Sequence, residues 1–142
     1  MRLISHRGNI TGPNPELENT IEYINQGLDQ GYDVEVDIHY MKGKLYLGHD
    51  NTQEEVQLTY LANPKLWCHA KNVEALYEMN KFGIHCFWHQ EDDYTLTSRG
   101  FIWTFPKKLL YYNSICVLPE QGYEGNLDIC AGICSDYIEE YK

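Results

Sequence analysis

The chain of 142 residues carries 11 basic and 21 acidic side chains, a net charge of −10. That length suits a single domain over residues 1–142, since a domain of about 150 residues hides roughly 70% of its unfolded surface. The charge repels nucleic-acid backbones and anionic bilayers alike, so nucleic acid is excluded as a partner, and an anionic substrate needs local cations to hold it.

Leu3-Ile4 gives way at once to Ser5-His6-Arg7, and no run of about 20 apolar residues occurs. The expectation is a soluble, cytoplasmic protein without membrane insertion. Cys68, Cys86, Cys116, Cys130 and Cys134 lie mostly inside apolar runs, and an odd number does not suit a closed disulfide framework. They read as buried free thiols; the Cys130 to Cys134 spacing is not that of a paired zinc motif.

Short apolar runs alternate with helical stretches, the pattern of an α/β chain with a largely parallel sheet. Arg2 to Ser5 is the first strand, and Gly12-Pro13-Asn14-Pro15 a loop. Glu18 to Gln30 follows as an amphipathic helix, with Ile21, Ile24 and Leu28 at spacings of three and four and Gly31 as its stop. Asp33 to His39 is the second strand, turned by Lys42-Gly43-Lys44 into the run Leu45 to Leu47. Val34, Val36 and Ile38 then share one face, with Glu35, Asp37 and His39 on the other, so in a barrel strand Glu35 and Asp37 point at the barrel axis together. Adjacent inward carboxylates need a cation or a shared proton.

Farther on, Lys65 to Ala70 reads as a strand and Val73 to Phe82 as its helix. Ile84 to Trp88, Gly100 to Thr104, Ser114 to Leu118 and Gly132 to Cys134 are further strands, with late connectors of about a dozen residues, too short for the units of a standard barrel of roughly 250 residues.

Polar motifs recur at the ends of these apolar runs: His6-Arg7-Gly8, Glu18-Asn19-Thr20, Glu35-x-Asp37 and Gly48-His49-Asp50. Strand ends are where a barrel enzyme gathers its site. The ordered series resembles the glycerophosphodiester phosphodiesterase family, within the phospholipase C-like phosphodiesterases. The likeness is close over the first third of the chain. Beyond it, His69-Ala70-Lys71 stands where that family usually has Glu-x-Lys. Trp103-Thr104 and Gly132-Ile133-Cys134-Ser135-Asp136 are similar to its late strands.

The resemblance implies a compact, shortened TIM-type (β/α) barrel with several connecting helices reduced or missing. It implies a metal-dependent phosphodiesterase that hydrolyses a glycerol-type diester, through a cyclic phosphate formed by an adjacent substrate hydroxyl. His6 and His49 are then general acid and base, in either order. Glu35, Asp37 and His69 hold one divalent cation (Mg²⁺, Ca²⁺ or Mn²⁺), and Arg7, Lys71 and Glu18 belong to the substrate and phosphate pocket. The residue types suit the task. Histidine titrates near neutrality for proton transfer, and a cation on hard ligands offsets phosphoryl charge. An imidazole in place of a third carboxylate shifts the expected metal toward Mn²⁺ or another borderline ion.

Two other readings use the same residues: a non-catalytic module that binds phosphate or sugar phosphate on a degenerate barrel, and a lyase that stops at the cyclic phosphate. The small-molecule diester is the expected partner, and the oligomeric state is open.

Overall fold

The computed structural model describes all 142 residues. Its ten strands are β1 (Arg2–His6), β2 (Asp33–Met41), β3 (Lys44–Leu47), β4 (Glu54–Val56), β5 (Leu66–Ala70), β6 (Cys86–Phe87), β7 (Tyr94–Leu96), β8 (Ile102–Thr104), β9 (Ser114–Val117) and β10 (Gly132–Ser135). The three α-helices are α1 (Ile21–Asp29), α2 (Leu58–Leu61) and α3 (Val73–Lys81), joined by short 3-10 turns at Pro119–Gln121, Leu127–Ile129 and Ile138–Tyr141.

Eight strands form one path in the order β4-β3-β2-β1-β10-β9-β8-β7, and β5 and β6 continue from β2 on its other edge. The pairs β1 with β2, β2 with β5, β5 with β6, β1 with β10, β10 with β9 and β9 with β8 are parallel. The pairs β2 with β3, β3 with β4 and β7 with β8 are antiparallel. The result is a mixed, curled half-barrel.

This corrects the expected TIM-type (β/α) barrel, because helices do not alternate with the strands. The physical reason lies in the connectors. Phe105–Asn113 carries Pro106, and Leu118–Ala131 carries Pro119, Gly122 and Gly125, residues that stop a helix before it can complete the two or three turns needed to cover a strand. The segment after β6 instead folds back as the antiparallel β7.

The outer layer survives over the first half. Thr20 caps α1 by accepting the Tyr23 N–H at 3.3 Å, and the helix buries Ile24 and Gly27 toward β2. The helix therefore starts at Ile21, and Glu18 and Asn19 belong to the loop before it. Asn72 caps α3 through the Ala75 N–H at 3.0 Å and also bonds both backbone groups of Tyr40, at 3.2 and 2.9 Å, which joins the helix start to the end of β2. Val34, Val36 and Ile38 pack beneath these helices with Ala75 and Met79. Over the second half, a smaller cluster of Tyr32, Leu110, Cys116, Cys130, Ile133 and Ile138 takes the place of the helical layer. The five cysteines are buried and unpaired.

The concave face is filled by Ile4, Trp67, Phe87, Trp103, Ile115, Val117 and Cys134. Trp67 and Trp103 meet at 5.9 Å between ring centroids, and Phe87 and Trp103 at 4.5 Å. Trp67 Nε1 donates to Asp33 Oδ2 at 3.0 Å near the N-terminal ends of the strands. The opposite, C-terminal ends are left to the polar residues.

Candidate metal centre and active site

Strand register assembles the site. His6 lies opposite Glu35, and Asp37 opposite His69, across the parallel pairs of β2 with β1 and β5. Residues facing each other in register share a face, so the four side chains converge on the concave side. They line one cavity of about 430 Å³ with Arg7, His49 and Lys71, a size ordinary for small-molecule sites of roughly 300–1,000 Å³.

Glu35, Asp37 and His69 offer one ligand atom each, all within 4.8 Å of one another. Asp37 is held from several directions. Asn19 Nδ2 donates to its Oδ2 at 2.9 Å and Asn19 Oδ1 accepts its backbone N–H at 2.9 Å, while Arg7 Nε forms an ion pair with Oδ2 at 3.1 Å. Asn19 reaches this position with φ of +59°, a left-handed conformation that asparagine tolerates better than most residues.

His69 Nε2 donates to the His89 carbonyl at 3.4 Å, while Nδ1 faces Asp37 Oδ1 at 3.3 Å and Glu35 Oε1 at 3.9 Å. Nδ1 and the two carboxylate oxygens close on one point, which a proton or a divalent cation must occupy. A ligating histidine commonly donates its other N–H to a carbonyl in this way. Glu35 Oε2 is buried with no hydrogen-bond partner, and the nearest basic group is His6 Nε2 at 3.6 Å. The donor set of two hard oxygens and one imidazole fits a divalent cation.

The electrostatics agree. Burial, then the charge of Asp37, pushes the Glu35 carboxyl up to about 7, against the pull of His6, Arg7 and His69. Burial would also raise Asp37, but His69, Arg7 and the Asn19 donor outweigh it and hold that carboxyl well below the usual range.

His6 is oriented by a residue at the other end of the chain. Its Nδ1 donates to Asp136 Oδ1 at 2.7 Å, and its Nε2 stands 3.6 Å from Glu35 Oε2. Asp136 also accepts from Asn9 Nδ2 at 2.9 Å, and its backbone N–H donates to Glu120 Oε1 at 3.0 Å. Burial lowers the His6 pKa, yet the Asp136 hydrogen bond and the charges of Glu35 and Asp136 raise it overall.

His49 is more exposed. Its Nδ1 stands 2.8 Å from Asp50 Oδ1, and burial together with Arg7 and Lys71 lowers its pKa despite Asp37 and Asp50. Gly48 sets the loop. At φ of +145°, a Cβ there would fall 1.8 Å from the Asn51 carbonyl oxygen.

Seven of the eight residues singled out in the sequence therefore line one cavity: His6, Arg7, Glu35, Asp37, His49, His69 and Lys71. Glu18 does not. It accepts from Arg7 NH1 at 3.4 Å and from the Asn14 backbone N–H at 2.8 Å, and faces a smaller recess beside the cavity. Sequence reasoning missed Asp136, and Asn19 as the clamp on Asp37; His89, which heads the acidic run after a strand and so reads as a candidate pocket residue, lines the cavity and stacks on His69 at 4.5 Å between centroids. Of the two missed residues, only Asp136 carried a signal, as the last polar residue of the closing strand motif.

Comparison with known proteins returns no match: no family model, no curated protein and no solved structure is similar to the chain. No helix is long and apolar enough to cross a membrane.

Proposed function

We propose that the protein is a metal-dependent phosphodiesterase acting on a glycerol-type diester. The observation that carries this reading is the buried Glu35–Asp37–His69 cluster, with its inward-facing His69 Nδ1 and unpartnered Glu35 oxygen, in one cavity with two histidines and two cations. A divalent cation on this cluster would supply positive charge to the phosphoryl oxygens and acidify a bound hydroxyl.

The chain's own groups do the rest. Arg7 and Lys71 hold the phosphoryl anion in a molecule whose net charge would otherwise repel it. One histidine takes the proton of a substrate hydroxyl as its oxygen bonds to phosphorus. The bond from phosphorus to the leaving alcohol breaks, and the other histidine gives that oxygen its proton, leaving a cyclic phosphate. Water then opens the ring with the two roles reversed. Asp136 fixes the tautomer of His6, so that Nε2 is the nitrogen turned toward the substrate.

The test is ³¹P NMR of glycerophosphodiesters incubated with the protein and Mg²⁺, Ca²⁺ or Mn²⁺, against a chelator control. A metal-dependent phosphomonoester signal supports the hydrolase, and a cyclic phosphate that accumulates marks a lyase on the same machinery. No product with any metal overturns the catalytic reading in favour of a phosphate-binding module.

A further inference from the structure

The cavity has two unlike walls. The charged wall is formed by β1, β2 and β5. Facing it, Trp88, Trp103, Phe105, Pro106, Val117 and Leu118 line the side belonging to β6, β8 and β9. No carboxylate, lysine or arginine interrupts this second wall, and its polar groups are the amides of Gln90 and Gln121 and the ring of His89. Trp103 and Val117 are rooted in the concave core, 5% and 8% exposed, whereas Phe105 remains 48% exposed at the mouth.

A second recess, of about 180 Å³, lies on the other side of Arg7 and His49, which line both spaces. Pro15, Glu18, Asn19, Asp50, Asn51 and Gln53 line it, all of them polar except Pro15. A phosphoryl group held at Arg7 thus has an apolar wall on one side and a recess rich in hydrogen-bond acceptors on the other.

We infer that the substrate is an asymmetric phosphodiester, with an alkyl alcohol lying against the Trp103–Phe105–Val117–Leu118 wall and a small polyol in the recess beside His49. The inference rests on the phosphodiesterase reading for the reaction but not for the binding preference. An alkyl arm fits better than a quaternary ammonium group. Half of the wall is aliphatic or proline, and it offers no carboxylate to balance a cation. A polyol offers hydroxyls to the remaining lone pairs of Glu18 and Asp50, which an alkyl chain would shut off from water without replacing its hydrogen bonds.

The experiment has a binding arm and a turnover arm, both on the full chain with Mn²⁺. Calorimetry compares inorganic phosphate, glycerol phosphate, ethyl phosphate and hexyl phosphate. A fully buried methylene is worth about fourfold in affinity, and a half-open wall yields about twofold each, so hexyl phosphate is expected to bind at least tenfold tighter than ethyl phosphate. Phe105→Ser should reduce that ratio several-fold. In turnover, glycerophosphohexanol should exceed glycerophosphocholine and bis-glycerol phosphate in kcat/KM by tenfold or more.

Equal binding of ethyl and hexyl phosphate overturns the alkyl arm, even where diesters are turned over. A preference for glycerophosphocholine overturns it in favour of a cationic head group. Chain-length-dependent binding without turnover of any diester supports the apolar subsite and removes the phosphodiesterase reading instead.

Discussion

Replacing Glu35 with glutamine should flatten the pH dependence of stability in the metal-free protein. In the folded state Glu35 holds its proton up to about 7, against an ordinary 4.5. Between these values the unfolded chain ionises first, so folding stability is fully present below 4.5 and falls as pH rises toward 7. At roughly 1.4 kcal/mol per pH unit the loss is about 3 kcal/mol, a large share of the 5–15 kcal/mol typical of a domain. The glutamine amide cannot ionise and keeps the shape of the neutral acid, so the variant should lack this loss and exceed the wild type in stability at pH 7.5 in chelator. Asp37, held low, acts in another window: its contribution is present above 3.8 and lost as pH falls toward its depressed folded value. Urea denaturation from pH 4 to 8 reads the difference between the two curves. A saturating divalent cation should reverse the order, because it binds ionised Glu35 and stabilises only the wild type strongly. Parallel curves for wild type and Glu35→Gln in chelator would refute the argument.

Asp136→Asn should lower turnover on the order of 10²-fold or more, since the amide no longer selects the His6 tautomer, while the melting temperature moves little; an unchanged kcat in steady-state assays would count against the dyad. Asn19→Gly is expected to destabilise the protein by about 2–4 kcal/mol, because it leaves a buried Asp37 oxygen and N–H without their partner while accommodating the positive φ. Thermal denaturation that matches the wild type would show the clamp to be dispensable. Gly48→Ala should displace the His49 loop, given the overlap with the Asn51 carbonyl, and abolish turnover in the same NMR assay; a fully active variant would separate this loop from the chemistry. With His69 in the metal set, Mn²⁺ should activate at lower concentration than Ca²⁺, and equal activation midpoints would remove the imidazole from the site.

Period-two alternation in Asp33 to His39 is enough to place Val34, Val36 and Ile38 beneath the helices and Glu35 with Asp37 on the concave face. The Lys42-Gly43 turn is legible for the same local reason: both residues take positive φ, as a tight hairpin demands. What escapes depends on distance in the chain. Nothing local says that Asp136 meets His6 across 130 residues; the β1–β10 pairing does. Asn19 looks like the flank of a helix because Glu18 and Asn19 are common there, yet Thr20 takes the cap and frees Asn19 to turn back onto Asp37. The strands β4 and β7 are three residues each, too short to show a period. The barrel expectation fails where it leans on resemblance in place of connector chemistry.

The scarcity of helices in the second half does not disturb the site, because no ligand or titrating group of the site stands on a helix. His6 ends β1, Glu35 and Asp37 are central in β2, His69 is in β5, and Asp136 directly follows β10. Their mutual positions are set by parallel register, which the strands make among themselves through backbone hydrogen bonds. Helices in such a fold cover the outer apolar face, a task that aromatic and aliphatic side chains of short 3-10 turns also perform around Ile133 and Cys116. A curled sheet of this size can therefore carry a polar site at its strand ends with few covering helices. At the mouth of that site Phe105 stays half exposed, which leaves the apolar wall open to an incoming alkyl arm.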